Sequence, residues 1–404
     1  MVHTATMTKP GHKTETSIAV SQLDLTLFRN YPSLRLTLPE ANRNLVVLSG
    51  ENGAGKTNLL EAISYLGPGR GLRGARLADI THNAGPGPWA VSGTLVCDGK
   101  NQRIGCAIDY GKGSGGEANK GRARRYVMVD DERFSSASSL APYLSVIWLT
   151  PRMDRLFQNG ASERRRFFDQ LVTGLFPEHA SQISAYEKTM RERLRLLVDG
   201  GGHGDEAWLA AIERRMAEYA TALAATRLEA LQILKANMKF KKKSLFPVPV
   251  IALEGDMEDL VSTLPALEAE EKFTGLLKKA RRVDGYSGRT TKGPHKTDLV
   301  AWHPLKSMPA GQCSTGEQKA MLIALIFGAV RSQISARGRA PLLLLDELAA
   351  HLDEERRRAL FDEISDFGIQ TWMTGTDAGL FAPLKGRATF FHVEDGTLTE
   401  MKNA

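Results

Sequence analysis

Apolar and polar residues alternate over residues 21–38, with Leu23, Leu25 and Leu27 before, and Leu34, Leu36 and Leu38 after, the turn-forming run Asn30-Tyr31-Pro32-Ser33. That pattern predicts a hairpin. Residues 45–48 are continuously apolar and predict a buried strand; residues 58–63 carry the spacing of an amphipathic helix. Residues 89–97 and 102–110 read as strands joined by Asp98-Gly99, a strong hairpin signal. A further strand is expected over 124–129, and a buried one over 143–149, ended by Thr150-Pro151. The period then lengthens. Residues 163–176, 182–198 and 206–238 are helical in spacing. Tyr186, Met190, Leu194 and Leu197 share one face; Leu209, Ile212, Met216, Tyr219 and Leu223 form a second stripe. Gly200 to Gly204 separates the two, which predicts an antiparallel helical hairpin. Residues 246–253 suggest an edge strand because they contain prolines, and 266–282 a helix with a basic end.

From Leu299 the mixed pattern returns, with an apolar helix over 321–330 and strands over 342–345, 370–374 and 388–393. The organisation expected is therefore a tail (1–17, disordered), a head in two parts (18–130 and 291–404), and an inserted, mainly helical lobe (131–290). No internal repeat of fixed period is seen.

Between the strand at 45–48 and its following helix lies Gly50-Glu51-Asn52-Gly53-Ala54-Gly55-Lys56-Thr57, which fits G-x-x-x-x-G-K-[ST]. Strand, glycine turn and helix supply the context a phosphate-binding loop needs. Glycines let backbone N–H groups turn inward around phosphate oxygens, and the helix start adds partial positive charge. Lys56 would reach the β- and γ-phosphates of ATP, Thr57 would bind Mg²⁺, and Asn58 follows as a further nucleotide contact. The Gly67–Arg73 stretch either holds an anion beside the nucleotide or is a surface turn.

The apolar segment Leu342–Leu345 runs into Asp346-Glu347. A strand beside the P-loop strand would set Asp346 on Mg²⁺ through water, with Glu347 activating the attacking water. One helix earlier, Ser314-Thr315-Gly316-Glu317-Gln318 begins a helix and would present a hydroxyl and N–H groups as a second anion site.

The 404 residues suffice for about two or three domains. A net charge of +7 favours an anionic partner such as nucleic acid. Cys97, Cys106 and Cys313 show no C-x-x-C spacing, so neither a disulfide framework nor zinc is expected, and a reducing cytoplasm is. No run appears long enough for a membrane span, and the polar N-terminus lacks a signal-peptide core.

These segments in order resemble ABC-type ATPases and, more specifically, the RecF family of bacterial DNA-repair ATPases, relatives of SMC proteins. The segments that carry the likeness are the P-loop, Arg289-Thr290-Thr291-Lys292-Gly293-Pro294-His295-Lys296-Thr297-Asp298, Cys313 to Ala320 with its Ser314–Gln318 signature, Asp346 to Asp353, and Thr374-Gly375-Thr376-Asp377, together with Leu149 to Leu156 and Arg164 to Asp169. The likeness spans about residues 20 to 395, and the insertion is far shorter than an SMC arm. It implies an ABC-type α/β head whose signature (Ser314, Gly316, Glu317, Gln318) caps the γ-phosphate held by a second copy, so that ATP drives homodimer formation. It places Asp353 in the D-loop and puts Thr376 and Asp377 where transport ATPases carry a switch histidine. A carboxylate cannot donate to the γ-phosphate as imidazolium would, which speaks against rapid transporter-like turnover. No clear Q-loop residue follows the strand that Thr150-Pro151 ends; Gln158 is a weak candidate.

The resemblance further implies slow ATP hydrolysis, double- and single-stranded DNA at gap junctions as ligand, RecO and RecR as partners, and support of the SOS response. Basic clusters at Arg122, Arg124 and Arg125, at Arg164 to Arg166, at Lys239 and Lys241 to Lys243, and at Lys278, Lys279, Arg281 and Arg282 are either backbone contacts to DNA or solvated faces. Arg164 to Arg166 could instead pack or pair at the start of the helical lobe, and His295 could sit near the nucleotide domain, transmit its state to the lobe, or serve its own turn. The alternatives are the ATPase subunit of a transporter and an SMC-like structural protein.

Overall fold

A computed structural model describes residues 18–82, 87–110, 123–199, 205–238 and 245–401. The tail expected over 1–17, the glycine-rich loop over 111–121, the Gly200–Gly204 break, Arg122 and the lysines at 239–243 lie outside the described residues.

The chain begins with β1 (Ile18–Phe28), β2 (Tyr31–Thr37), β3 (Leu45–Ser49) and α1 (Lys56–Ser64). Four strands follow: β4 (Ala90–Cys97), β5 (Lys100–Asp109), β6 (Arg124–Val129) and β7 (Glu132–Phe134). After β8 (Val146–Leu149) come the helices α2 (Ala161–Leu175), α3 (His179–Asp199) and α4 (Glu206–Asn237). Then come β9 (Val250–Glu254), α5 (Asp256–Thr263), α6 (Ala266–Ser287) and β10 (Asp298–Trp302). The head closes with α7 (Thr315–Arg337), β11 (Leu342–Leu345), α8 (Glu354–Phe367), β12 (Thr371–Gly375), β13 (Thr389–Glu394) and β14 (Thr397–Glu400).

The central sheet has the order β14-β13-β3-β12-β11-β8, parallel except for β14. Its strands are apolar at consecutive positions because both faces are covered. Alternation then sorts the side chains. Leu45, Val47, Leu343, Leu345 and Met373 join one core with α7, α8 and α2. Val46, Leu48, Leu342, Leu344 and Trp372 join the other, with α1 and the antiparallel sheet β2-β1-β4-β5-β6-β7. The Asp98-Gly99 hairpin is as expected, both residues at positive φ (51° and 75°), the requirement of its two-residue turn. The first hairpin is tighter than its composition suggests. Phe28 pairs with Tyr31, so Arg29 and Asn30 alone make the turn and Pro32 lies in β2, an edge strand where it costs no ladder bond.

Three expectations need correction. β11 is not beside the P-loop strand: β12 intervenes, and α1 leans across it to bring Thr57 to Asp346. β8 falls within the 131–290 span assigned to the lobe, yet it pairs in parallel with β11 in the head sheet. And α7, at 23 residues, is long and apolar enough to cross a membrane, but 78% of its apolar window is buried inside the protein. It is a core helix, apolar all round because sheet and helices enclose it.

The lobe packs α3, α4 and α6 around Tyr186, Met216, Leu223, Met257, Phe273 and Leu277. α4 spans both bodies. Its first half lies on α3 and α6; Ala230, Leu231 and Leu234 in its second half enter the head core beside α7. At the root of the lobe Arg227 is 3% exposed and uses its whole guanidinium. It donates to both oxygens of Asp169 (2.8 and 2.9 Å), to Glu258 (3.3 Å), to the Pro294 carbonyl (2.7 Å) and to Thr297 (3.2 Å). A second buried group joins Arg193 to Glu213 and Asp284, with Arg281 closing on Glu213. Removing one member of such a pair strands a charge and costs about 3–5 kcal/mol.

Candidate nucleotide site

β3 delivers the chain into the P-loop, and two glycines there are dictated by close approach. A Cβ on Gly50 would sit 2.2 Å from the Val393 carbonyl oxygen. Gly55, at φ 114°, would drive a Cβ into Asn30 and the Tyr31 hydroxyl. That contact is functional in shape: Tyr31 donates to the Gly55 carbonyl (3.0 Å), and Asn30 donates to the Ala54 carbonyl (3.1 Å). The β1–β2 turn thus braces the loop from behind. Glu51, Asn52 and Gly53 face solvent, as a phosphate cradle must.

Lys56 is 4% exposed, and its ammonium donates to the Gly50 and Glu51 carbonyls, both at 2.7 Å. Burial lowers its pKa, against the opposing pull of Glu347 and Asp346. Asn58 donates to Asn30 (2.8 Å) and accepts from Arg73 (2.6 Å). Arg73 and Arg29 both pair with the wholly buried Glu61. The 67–73 loop is therefore tied to α1. Arg125 ties it further, donating to Cys106, to the carbonyls of Tyr65 and Gly67, and to that of Gly69, with its guanidinium over the Tyr65 ring.

Across the sheet, Thr57 donates to Asp346 (2.8 Å), and so does Thr374 from the end of β12 (2.8 Å). The Thr374 hydroxyl also accepts from the Glu347 amide (2.9 Å). Glu347 sits at φ 51°, a region non-glycine residues rarely occupy, and that amide contact holds it there. A hydroxyl and a carboxylate are hard oxygen donors suited to Mg²⁺, so Thr57 and Asp346 fit the metal. Thr374 is the member that the sequence reading missed. The sequence signal was a polar residue directly after the apolar Trp372-Met373 pair, and the structure buries it to 1% exposure.

The signature lies at the exposed start of α7. Ser314 is the N-cap, and Glu317 returns the bond to the Ser314 amide (3.0 Å) and hydroxyl (2.9 Å), a capping box. Lys306 grips Glu317 at 2.5 Å; that contact first, then the bonds from Ser314, holds the Glu317 carboxyl down at about 2. Gly316 is exposed. Gln318 is not: it is 1% exposed and donates to the Cys313 carbonyl (2.8 Å), so it shapes the loop and cannot meet a second copy. Among the described residues no hydrogen bond or ion pair joins the P-loop to Ser314–Gln318. Asp353 caps α8 through the Arg356 amide (2.8 Å). Thr376 and Asp377 are exposed, and Asp377 caps the next turn through the Gly379 amide (2.8 Å); neither touches Asp346. Gln158 is exposed at the end of the turn after β8.

Several cationic candidates turn inward. Arg164 pairs with Asp298 (2.6 Å) and Arg165 donates to the Thr297 carbonyl (3.0 Å). Arg281 is engaged with Glu213 and Glu206. His295 serves its own turn: it accepts from Tyr186 (2.7 Å), donates to the Thr290 carbonyl (2.8 Å), and has its pKa lowered by burial.

The family model for the RecF/RecN/SMC N terminal domain matches residues 19–398. Among curated proteins, "DNA replication and repair protein RecF" from Mesorhizobium japonicum is 45% identical over 386 residues, 95% of this chain and 98% of that protein. The protein of the same name from Brucella abortus is 44% identical over 383 residues, 95% and 96% of the two chains. A solved recombination mediator protein RecF with ATP superposes with a TM-score of 0.82 at 21% identity, covering 97% of this chain and 100% of that one. An Smc head domain from Pyrococcus furiosus gives 0.51 at 16% identity, covering 95% and 96%. These likenesses agree with the ABC-type head expected from the motifs.

Proposed function

This chain belongs to the RecF family of DNA replication and repair proteins, and on that premise we propose that it is an ATP-gated DNA clamp. The reading is that ATP binds the P-loop of one copy, that the Ser314 end of a second copy closes on its γ-phosphate, and that slow hydrolysis reopens the pair. The observation that carries it is the division of the phosphate-binding parts. The cradle and the Asp346–Glu347–Thr374 group stand together, while Ser314 and Gly316 face solvent with no bonded link to them in the same molecule.

Within one copy, the P-loop amides and Lys56 would bind the β- and γ-phosphates. Thr57 and Asp346 would hold Mg²⁺, which neutralises charge on the phosphate oxygens. Glu347 would accept the proton of the attacking water, with Thr374 fixing its backbone. Asp377 in place of a switch histidine suits slow turnover rather than transport. Double- and single-stranded DNA at gap junctions, RecO and RecR as partners, SOS support and a cytoplasmic location come with the family reading. The test is phosphate release by the purified chain with and without gapped DNA. Release that rises on DNA supports a DNA-activated ATPase; release indifferent to DNA favours an SMC-like architectural role, and none with any nucleotide contradicts the proposal.

A further inference from the structure

The C-terminal two-thirds of α6 presents a solvent face unlike the rest of the lobe. Lys272, Lys279, Arg282, Val283 and Tyr286 fall within about 100° of one another around the helix, and Arg289 follows just past its end. All are exposed; Tyr286 is 94% and Val283 58% exposed. Among the described residues, Lys272, Lys279, Arg282 and Arg289 have no ion pair. Between Lys272 and Arg289 the sequence holds one acid, Asp284, which points inward and is consumed by Arg193 and Thr291. Gly275 lies on the same stripe, and nothing comes within 4 Å of where its Cβ would be, so a ligand backbone can approach the helix there. Gly288, left-handed at φ 62°, ends the helix and turns Arg289 out beyond it.

The helix dipole accounts for positive charge in the last turn only. It does not account for Lys272 and Lys279, further back, or for an aromatic ring left almost wholly in water. The clusters at Arg125 and Arg164 turn members inward, and the α6 cluster itself loses Lys278 and Arg281 to Glu206 and Glu213; its outward cations Lys272, Lys279, Arg282 and Arg289 have no ion pair among the described residues and stand beside a ring. Cations for a polyanionic backbone and a bare ring for a π-face are the two components of single-strand recognition.

We propose that this face of α6 binds single-stranded DNA, with Lys279, Arg282 and Arg289 on phosphates and an unpaired base stacked on Tyr286. The inference rests on the DNA-binding reading above for its choice of ligand. A duplex keeps its bases stacked on one another and offers Tyr286 nothing along its length, so the face discriminates strand state rather than sequence.

The test uses the full chain, fluorescent oligo-dT and a blunt duplex, followed by anisotropy. Tyr286→Ala is expected to weaken oligo-dT binding by about tenfold, while Tyr286→Phe retains it, since stacking needs only the ring. Duplex binding should change by less than about twofold in both. Replacing Lys279, Arg282 and Arg289 together by Gln should lower the slope of log affinity against log salt for oligo-dT by about 2. Oligo-dT binding by Tyr286→Ala equal to wild type overturns the proposal, as does equal weakening on duplex. Binding indifferent to the triple change also overturns it and hands the face to an acidic protein surface. If the unaltered chain binds neither DNA, it is the DNA-binding reading itself that fails.

Discussion

Replacing Thr374 by Val keeps shape and volume and removes one hydroxyl. That hydroxyl makes two bonds, to the Asp346 carboxylate (2.8 Å) and from the Glu347 amide (2.9 Å), in a position 1% exposed. A bond to a charged group is worth about 1.5–3 kcal/mol, and an orphaned amide costs about 1–3 kcal/mol when dry. The Glu347 amide is half-buried and recovers part of this from water, so we expect a net loss of about 2 kcal/mol in unfolding free energy. Catalysis should suffer more. Without the hydroxyl the Glu347 amide loses the bond that fixes it at positive φ, and a shift of about 1 Å in a positioned group costs about 100-fold in rate. ATP affinity, which depends on the P-loop, should stay within about threefold. The assay is steady-state phosphate release alongside binding of a fluorescent ATP analogue, with Thr374→Ser as the variant that keeps the oxygen. Turnover by Thr374→Val equal to wild type would refute the assignment of Thr374 as the positioning group; ATP affinity lost in step with turnover would show a damaged loop instead.

Other outcomes follow from the same geometry. Lys56→Ala should weaken ATP binding about 10- to 100-fold, the worth of a charge-assisted bond to phosphate, measured by equilibrium dialysis; unchanged affinity counts against the cradle. Ser314→Arg should abolish ATP-dependent dimers in light scattering while the monomer still binds ATP, and loss of both would indicate misfolding. Glu317 titrates at about 2 when folded against 4.5 in an unfolded chain, so its contribution to stability is full above pH 4.5 and lost as pH falls toward 2. Lys306→Met removes the first cause of that shift. Melting temperature should then fall less between pH 4.5 and 2 than in wild type, because only the folded value moves and the onset stays at the unfolded one; superimposable profiles would reject the Lys306–Glu317 link.

Much of the head was legible because its signals are local. The P-loop, the Leu342–Leu345 strand and the Asp98-Gly99 turn each state their structure within a few residues. The α3–α4 hairpin declared itself by period, and Tyr186, Leu197, Leu209, Met216 and Leu223 are buried as their stripes required. What could not be read depends on partners distant in sequence. Nothing near Arg227 announces Asp169, Glu258 and Thr297, and nothing near Arg193 announces Asp284. The same blindness made Arg125, Arg164 and Arg281 look like surface cations. Strand order was misplaced for a related reason: the insertion of β12 between β3 and β11 is decided by sheet topology, which a run of leucines does not encode. The short α5, β10 and β14 were missed because their apolar positions are too few to establish a period; α8 was missed although Leu360, Phe361, Ile364 and Phe367 carry a helical spacing.

The claim at the centre is that one molecule's γ-phosphate site is finished by another's Ser314. Sedimentation of Glu347→Gln with ATP and Mg²⁺ tests it most directly, because that variant should bind ATP and fail to discharge it. The account predicts a species of twice the monomer mass that appears only with ATP and vanishes when Ser314→Arg is added. A variant that binds ATP at saturation and sediments only as monomer contradicts it.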